Sequence, residues 1–183
     1  YKPGSLKALN CIKGYKMLLD FCDENDIEYE LCGKIIVATE EKELSALDVL
    51  YKRGIENGLT GMKTLTSKEL KNYEPHVTGI AGIQIPQTGI VDYRIVSQKL
   101  AEIIISKGGE IRFNEEVKDI KISNGSSELI TSSDKYSAKA IVSCAGLYSD
   151  KIASMVSEGS DIDFRIIPFR GEYYQLNDRA KHL

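Results

Sequence analysis

The sequence lacks any apolar run close to the roughly 18 residues that a membrane-spanning helix needs, and it lacks an excess of positive charge. Lysine and arginine together number 24 against 27 aspartate and glutamate residues, which gives a net charge of −3. The absence of a broad basic field argues against a nucleic-acid-binding protein. What the chain does contain, 42% hydrophobic and 28% charged residues, is ordinary for a soluble globular protein.

Residues that hold metals or form nucleophilic sites are equally sparse. His76 and His182 lie far apart without metal-type neighbours, so no metal site is predicted, and His76 is expected in a loop after Pro75. The cysteines form no CxxC pair, which indicates reduced thiols in a cytosolic protein. They are Cys11, Cys22, Cys32 and Cys144. The GxSxG, Walker, zinc-ligand and GxGxxG patterns are all absent.

The length of 183 residues suffices for one domain with its own core or for parts of two. The chain opens with the letters YKPG rather than with methionine, and it ends with HL without a closing element. We therefore expect it to be a piece of a longer protein.

The first half predicts helices that alternate with short strands. Ser5 and Asp92 are N-cap candidates, and Thr66 with Glu69 fits a capping box for a short helix that ends before Pro75. The predicted elements are a helix with its apolar stripe over 8–22, two strands within 28–39, a helix over 41–57, a helix after 66, a strand at 83–85 and a helix over 93–107.

The second half changes character towards short strands. Asn124 and Gly125 both accept positive φ and predict a hairpin turn. A helix over 147–156 directly follows a predicted strand and forms the one βα unit. The predicted strands lie at 110–113, 117–123, 128–131, 135–137, 140–144, 164–169 and 172–176. Together the two halves predict an α+β fold dominated by antiparallel strands.

A few residues are candidates for ligand binding. Gly146 lies between an apolar run and a helix start, where a glycine allows close backbone approach and the helix favours an anion; the alternative is a tight structural turn. Arg170 offers a planar fork suited to a carboxylate; the alternative is an exposed Arg170–Glu172 pair on a surface strand. Lys2 and Lys7 near the first helix either bind an anion or belong to a solvated helix start.

Several segments, taken in order, resemble one family of flavoenzymes. They are YKPGSLKA, CGKIIVAT, EPHVTGIAGIQIPQTGIVDYRIV, KGGEIRFNEEVKDI, IVSCAGLYSDKIA and IIPFRGEYYQL. The series resembles FAD-dependent oxidoreductases of the D-amino-acid-oxidase (DAO) type, and among these most of all the L-2-hydroxyglutarate oxidases and dehydrogenases. PGSLKA, GIVDYR and PFRGEYY make the resemblance specific, whereas CAGLYSD alone marks only the broad superfamily.

The resemblance implies FAD as the cofactor, with part of its site in this chain. Cys144, Ala145 and Gly146 match a small-residue segment that closes around the flavin, and Val117 matches a position whose backbone meets the adenine. The family's N-terminal GxGxxG and its C-terminal flavin-contacting segment are absent from the sequence. We therefore expect that these residues alone do not retain stoichiometric FAD.

The implied reaction is hydride transfer from C2 of a small 2-hydroxy acid to the flavin, converting L-2-hydroxyglutarate to 2-oxoglutarate. Arg170 would hold a substrate carboxylate, and Tyr173 would hydrogen-bond the substrate or wall the flavin face. Lys2 and Lys7 are weaker candidates for binding a substrate anion. The catalytic base is not identified: a histidine would suit the role, but neither His76 nor His182 lies in a motif that supports it.

The implied fold class is α+β, with an antiparallel-sheet substrate domain flanked by helices plus part of a Rossmann-like FAD-binding domain. Residues 1–109 would form the first part of the substrate-binding domain and 110–160 part of the FAD-binding domain. Residues 161–183 would return to the substrate-domain sheet. The strand at 140–144 would lack the parallel neighbours that such a sheet requires, which leaves an exposed edge.

The sequence is also compatible with other functions. The same fold serves FAD-dependent glycerol-3-phosphate dehydrogenases and oxidases of amino acids or sarcosine, and a folded binding module without catalysis is a third reading. Oxygen, a quinone and an electron-transfer protein are all open as electron acceptors. We expect a cytoplasmic protein without a membrane segment in these residues, with membrane association through other regions left open.

Overall fold

Residue contacts in the computed structural model divide the chain into two units at Gly109 and Glu110. The first unit is Tyr1–Gly109 together with the segment that starts at Asn177, and the second is Glu110–Leu176. The structure describes residues 1–123, 125–156, 164–172, 174 and 177–179.

The first unit contains four helices and two small antiparallel sheets among its described residues. The central three-stranded sheet has the order β2-β4-β3, and β1 pairs with β5. The elements are α1 (Leu6–Glu24), β1 (Tyr29–Glu30), β2 (Lys34–Ala38), α2 (Leu44–Glu56), β3 (Lys63–Thr66), α3 (Ser67–Tyr73), β4 (Ala81–Ile85), β5 (Ile90–Val91) and α4 (Tyr93–Ser106). A short 3₁₀ turn, Glu41–Glu43, leads into α2.

The starts of α1, α3 and α4 are fixed by side chains that accept hydrogen bonds from free backbone N–H groups. The Ser5 hydroxyl accepts from the N–H of Ala8 at 3.3 Å, and the Asp92 carboxylate accepts from the N–H of Arg94 at 2.8 Å. At α3 the Thr66 hydroxyl accepts from the Glu69 N–H while the Glu69 carboxylate accepts from the Thr66 N–H. All three predicted caps are confirmed.

The core of the first unit lies on the middle strand. Ile83 on β4 is almost fully buried and packs in one cluster with Ala38, Leu47, Met62 and Ile85. A second cluster joins α1 and α4 through Cys22, Ile27 and Val96. The alternating apolar residues that predicted the strand at 83–85 therefore face the core, as a strand covered on one face requires.

Close packing at Gly82 explains why α3 lies so near the sheet. A Cβ built on Gly82 would lie 2.6 Å from Cδ2 of Leu70 and 2.9 Å from the carbonyl oxygen of Ile36. Leu70 is completely buried. Leu70 occupies the space that a side chain at position 82 would otherwise fill.

The second unit is built on a three-stranded antiparallel meander. Its strands are β6 (Val117–Ser123), β7 (Ser126–Thr131) and β8 (Lys135–Ala138), paired in the order β6-β7-β8. Gly125 has a φ of +92° in the predicted hairpin turn; Asn124 lies outside the described residues. Helix α5 (Ser149–Val156) follows a 3₁₀ turn, Gly146–Tyr148, and confirms the helix predicted after the apolar run.

Mixed helices and antiparallel sheets confirm the predicted fold class, but three predicted strands are wrong. Residues 110–113, 140–144 and 164–169 have extended or irregular backbone without strand pairing. A strand exists only when a neighbour completes its hydrogen bonds, and no such neighbour lies beside these segments in the described part of the chain. The strand predicted at 172–176 falls mostly outside the described residues.

Among the described residues, no helix combines the length and apolarity needed to cross a membrane.

Candidate functional site

The loop from Cys144 to Gly146 offers backbone donors at the start of the 3₁₀ turn. Two of its carbonyl groups are occupied: that of Ala145 accepts from the N–H of Tyr148 at 3.0 Å, and that of Gly146 accepts from the Ser149 hydroxyl at 2.8 Å. The N–H groups of Ala145 and Gly146 have no acceptor among the described residues. This donor set fits an anionic or carbonyl-bearing group.

Two features keep the same loop open. Gly146 has a φ of +55°, a conformation that favours glycine, and a Cβ placed on it would meet no atom within 4 Å. Cys144 is exposed and carries a free thiol. The space next to Gly146 is thus open and Cys144 is exposed, so the residues present fit the flavin-binding role that the resemblance implies.

Val117 begins β6 and lies half-buried beside an open cleft of about 380 Å³. It pairs with Thr131 of β7, and a bulge follows it between Val117 and Asp119. The cleft is lined by Glu110, Arg112, Glu115, Val117, Leu129, Thr131 and Tyr136. The bulge turns the backbone locally at the residue that was predicted to meet the adenine.

The carboxylate of Glu115 organises this cleft. It accepts hydrogen bonds from the Thr131 hydroxyl at 2.8 Å and from the Tyr136 hydroxyl, which is 2.9 Å from both carboxylate oxygens. These two hydroxyls hold the pKa of Glu115 below its ordinary value, and the Glu115 carboxylate raises the pKa of Tyr136. Sequence reasoning missed Glu115 because its partners lie 16 and 21 residues further along the chain.

Arg170 lies on an exposed segment without strand pairing. Its side chain is 87% exposed, and its Nε is 3.9 Å from a carboxylate oxygen of Glu172. Its neighbour Phe169 is also exposed. The guanidinium is thus accessible and only loosely paired, while Tyr173, its predicted partner in substrate binding, lies outside the described residues.

Lys2 and Lys7 both have exposed side chains without an ion pair among the described residues. The backbone between them is ordered by local bonds: the carbonyl of Lys2 accepts from the Ser5 hydroxyl at 2.6 Å. The Asn57 side chain donates to the carbonyl of Tyr1 at 3.1 Å and ties the segment to the end of α2. Both ammonium groups are available to an anion.

The histidines do not join these residues. His76 is exposed in a turn after α3, as predicted, and His182 lies outside the described residues. Among the residues that the structure describes, no group of histidine, cysteine, aspartate and glutamate side chains is arranged to hold a metal ion.

Asp150 connects two of the candidate segments within the second unit. It lies on the first turn of α5, where one carboxylate oxygen accepts from the N–H of Lys151 at 2.8 Å. The other oxygen accepts from the N–H of Ile166 at 3.1 Å. These hydrogen bonds hold the pKa of Asp150 below its ordinary value. The main cause is the bond from the Ile166 N–H, and the bond from the Lys151 N–H is a further cause. The sequence signals an acidic residue in a first helical turn, but nothing local signals the contact with Ile166.

These features, together with comparisons with known proteins, define the class. The sequence matches the family described as "DAO: FAD dependent oxidoreductase" over residues 1–183. The chain therefore belongs to the DAO family of FAD-dependent oxidoreductases, and the predicted family is confirmed.

The most similar curated relatives include three that share one name. The L-2-hydroxyglutarate dehydrogenase of Indibacter alkaliphilus is 45% identical over 183 residues, which are 100% of this chain and 46% of that protein. The enzyme of the same name from Escherichia coli K12 is 41% identical, with 100% and 44% covered. The human mitochondrial enzyme is 38% identical, with 100% and 42% covered. The chain thus spans less than half the length of these relatives.

Solved structures give the same fold. The dithionite-reduced L-α-glycerophosphate oxidase of Mycoplasma pneumoniae, with FAD bound, superposes with a TM-score of 0.77 at 28% identity, covering 85% of this chain and 43% of that one. Glycine oxidase of Geobacillus kaustophilus superposes with a TM-score of 0.76 at 22% identity, covering 85% and 44%. The second likeness concerns the fold alone.

Proposed function

We propose that the whole protein of which these residues form part oxidises L-2-hydroxyglutarate to 2-oxoglutarate with FAD. The observation that carries the proposal is that all 183 residues align with proteins named L-2-hydroxyglutarate dehydrogenase, at 45% identity for the Indibacter protein. The alignment spans both units rather than the cofactor-binding segment alone, and this extent supports a shared substrate as well as a shared cofactor.

FAD, when bound, supplies the hydride acceptor, so the protein's tasks are to hold the cofactor and to orient the substrate. The N–H groups of Ala145 and Gly146, which have no acceptor among the described residues, would receive the flavin together with the open space at Gly146 and the exposed Cys144. The backbone of Val117 would receive the adenine. On this proposal the 183 residues alone do not retain stoichiometric FAD. Near-stoichiometric yellow flavin in the purified 183-residue chain would contradict that part.

The substrate carries two carboxylates, which call for cationic partners. Arg170 presents a fixed guanidinium fork that suits a carboxylate in two parallel hydrogen bonds, and its loose contact with Glu172 at 3.9 Å leaves the fork available. Tyr173 would add a hydroxyl beside it. Lys2 and Lys7 are further candidates for the substrate anion.

We assign the regions to domains on the same basis. Residues 1–109 would be the first part of the substrate-binding domain, 110–160 part of the FAD-binding domain, and 161–183 a return to the substrate-domain sheet. The division of contacts at Gly109 and Glu110 supports the first of these boundaries, whereas the contacts group residues up to Leu176 with the second unit.

The test uses the whole protein under anaerobic conditions. L-2-hydroxyglutarate is mixed with the flavin-loaded enzyme, and the absorbance band of the oxidised flavin at about 450 nm is followed. We expect rapid bleaching with the L form and none with the D form. A flavin that stays oxidised with both forms would overturn the substrate while leaving the family intact.

Oxidation of glycerol 3-phosphate is the second candidate, because the glycerophosphate oxidase structure is 28% identical to the chain. That substrate replaces a carboxylate by a phosphate, which carries more charge and three acceptor oxygens. Bleaching by glycerol 3-phosphate and not by L-2-hydroxyglutarate would favour this candidate. Reoxidation of the reduced enzyme by oxygen, by a quinone or by an electron-transfer protein, compared in rate, would then identify the electron acceptor.

A further inference from the structure

The carboxylate of Asp150 bridges two backbone segments. One oxygen is bonded to the N–H of Lys151 at the start of α5 and the other to the N–H of Ile166, 16 residues away. Each oxygen therefore serves a different donor, and a single amide oxygen in its place would satisfy only one of them.

The two bridged segments are those that carry the candidate site residues of the second unit. Gly146 lies four residues before Asp150, in the turn that leads directly into α5, and Arg170 lies four residues after Ile166. The Asp150 side chain thus joins the start of α5, which follows the Gly146 turn, to the unpaired segment that carries Arg170.

Nothing else among the described residues ties the arginine's segment down by a backbone hydrogen bond. Residues 164–170 pair with no strand, and Ile166 is half-buried whereas its neighbours Arg165 and Ile167 are exposed. Within those same described residues, the guanidinium of Arg170 has only the loose contact with Glu172. In the described part of the chain, the hydrogen bond from the Ile166 N–H to Asp150 is therefore the one bond that anchors the backbone of this segment.

We propose that Asp150 is a positioning residue, which holds the segment of Arg170 at a fixed place relative to the Gly146 loop so that the guanidinium meets the substrate carboxylate beside the flavin. The proposal rests on the function proposed above, in which Arg170 binds a substrate carboxylate. Asp150 itself touches neither substrate nor cofactor in this role. Its effect passes through the backbone of Ile166.

The main variant is Asp150→Asn in the whole flavin-loaded enzyme. Asparagine keeps the size of the side chain and one acceptor oxygen, but it sets an amino group against one of the two N–H donors. Asp134→Asn is the matched control, since the Asp134 carboxylate accepts from the N–H of its own neighbour Lys135 at 2.8 Å and bridges no distant segment. Asp150→Ser keeps an oxygen near the start of α5 and is too short to reach Ile166.

The first readout is independent of activity. Hydrogen exchange measured by mass spectrometry on the peptide that contains Ile166 should speed up in Asp150→Asn and Asp150→Ser and stay unchanged in Asp134→Asn. Unchanged exchange in both Asp150 variants would overturn the proposal, because the bridge would then not hold the segment.

The second readout is kinetic. Both Asp150 variants should raise the KM for L-2-hydroxyglutarate by about tenfold, the size expected when a hydrogen bond to a charged acceptor is lost, with kcat within about twofold and FAD content unchanged. In an Arg170→Ala background, Asp150→Asn should leave KM within about twofold, because the residue through which it acts is gone. An equal rise in KM in that background would overturn the proposal.

The experiment separates the two levels of inference. If the wild-type enzyme is not reduced by L-2-hydroxyglutarate, or if Arg170→Ala leaves KM unchanged, the proposed function or the role of Arg170 fails. If both hold and the Asp150 variants leave KM at the wild-type value, the positioning role alone fails.

Discussion

The hydroxyl of Tyr136 on β8 lies 2.9 Å from both carboxylate oxygens of Glu115, which precedes β6 by two residues. Thr131 at the end of β7 donates to the same carboxylate at 2.8 Å. One acidic side chain thus fastens the entry of the meander to its other two strands. Val117, the residue proposed to meet the adenine, lies two residues after Glu115 at the start of β6.

We predict that the Glu115 carboxylate makes the stability of the second unit depend on pH. Its hydrogen bonds hold its pKa below the ordinary value of 4.5, so it contributes stability that is present above pH 4.5 and is lost as pH falls through the folded-state pKa. We expect Glu115→Gln to lower the thermal midpoint at neutral pH, with a difference from wild type that shrinks below about pH 4.

The measurement is thermal unfolding from pH 7 down to about pH 3. Glu128→Gln makes the same charge change within β7 and serves as the control. Its difference in thermal midpoint from wild type should not shrink as the pH falls. A Glu115→Gln difference that stays constant through the acidic range would contradict the assigned role of the carboxylate.

A glycine-to-alanine substitution should destabilise the fold at Gly82 and stabilise it at Gly14. Gly82→Ala sets a Cβ 2.6 Å from Leu70 and 2.9 Å from the Ile36 carbonyl, and overpacking of this kind costs about 1–3 kcal/mol. Gly14→Ala adds a Cβ to an exposed helical position with nothing within 4 Å, which should stabilise the fold by about 0.5–1 kcal/mol. Urea unfolding of the three proteins measures both effects, and equal signs would refute the packing account.

The capping box of α3 predicts a modest and local loss. Thr66→Ala removes the hydroxyl that accepts from the N–H of Glu69, which should cost about 1 kcal/mol in the free energy of unfolding. The backbone N–H of Thr66 is the main cause of the lowered pKa of Glu69, and the Thr66 hydroxyl is the second cause. The variant removes the hydroxyl and keeps the N–H. Thr78→Ala, at an exposed position after α3, is the matched control and should be neutral. A Thr66→Ala cost no larger than the control's would mean that the cap contributes nothing measurable.

Elements set by local chemistry could be predicted from the sequence, and elements set by distant partners could not. The caps at Ser5, Thr66 and Asp92 depend on residues two or three positions away, so their pattern is readable along the chain. The apolar run at 140–144 has strand composition but no pairing neighbour in the described residues, and composition does not report that.

The candidate site divides in the same way. The sequence singled out Gly146 and Arg170 by residue type and by resemblance, and their roles stay predictions. The bridge from Asp150 to Ile166 spans 16 residues without a periodic or spacing signal, so only the folded chain reveals it. A hydrogen bond between residues so far apart in the sequence leaves no motif by which it could be predicted.

The proposed cofactor loop can be tested through its cysteine. Cys144 is exposed with a free thiol, as is Cys32, whereas Cys22 is fully buried and its pKa is raised by burial and by Asp23. Because thiols react as exposed thiolates, Cys22 should resist alkylation until the protein unfolds.

In the whole protein, bound FAD should slow alkylation of Cys144 several-fold relative to the flavin-free form and leave the rate at Cys32 unchanged. Mass spectrometry of alkylated peptides, taken over time with and without FAD, measures each thiol separately. Equal rates at Cys144 in both forms would show that the flavin does not lie against the Cys144–Gly146 loop, and the donors at Ala145 and Gly146 would then need another partner.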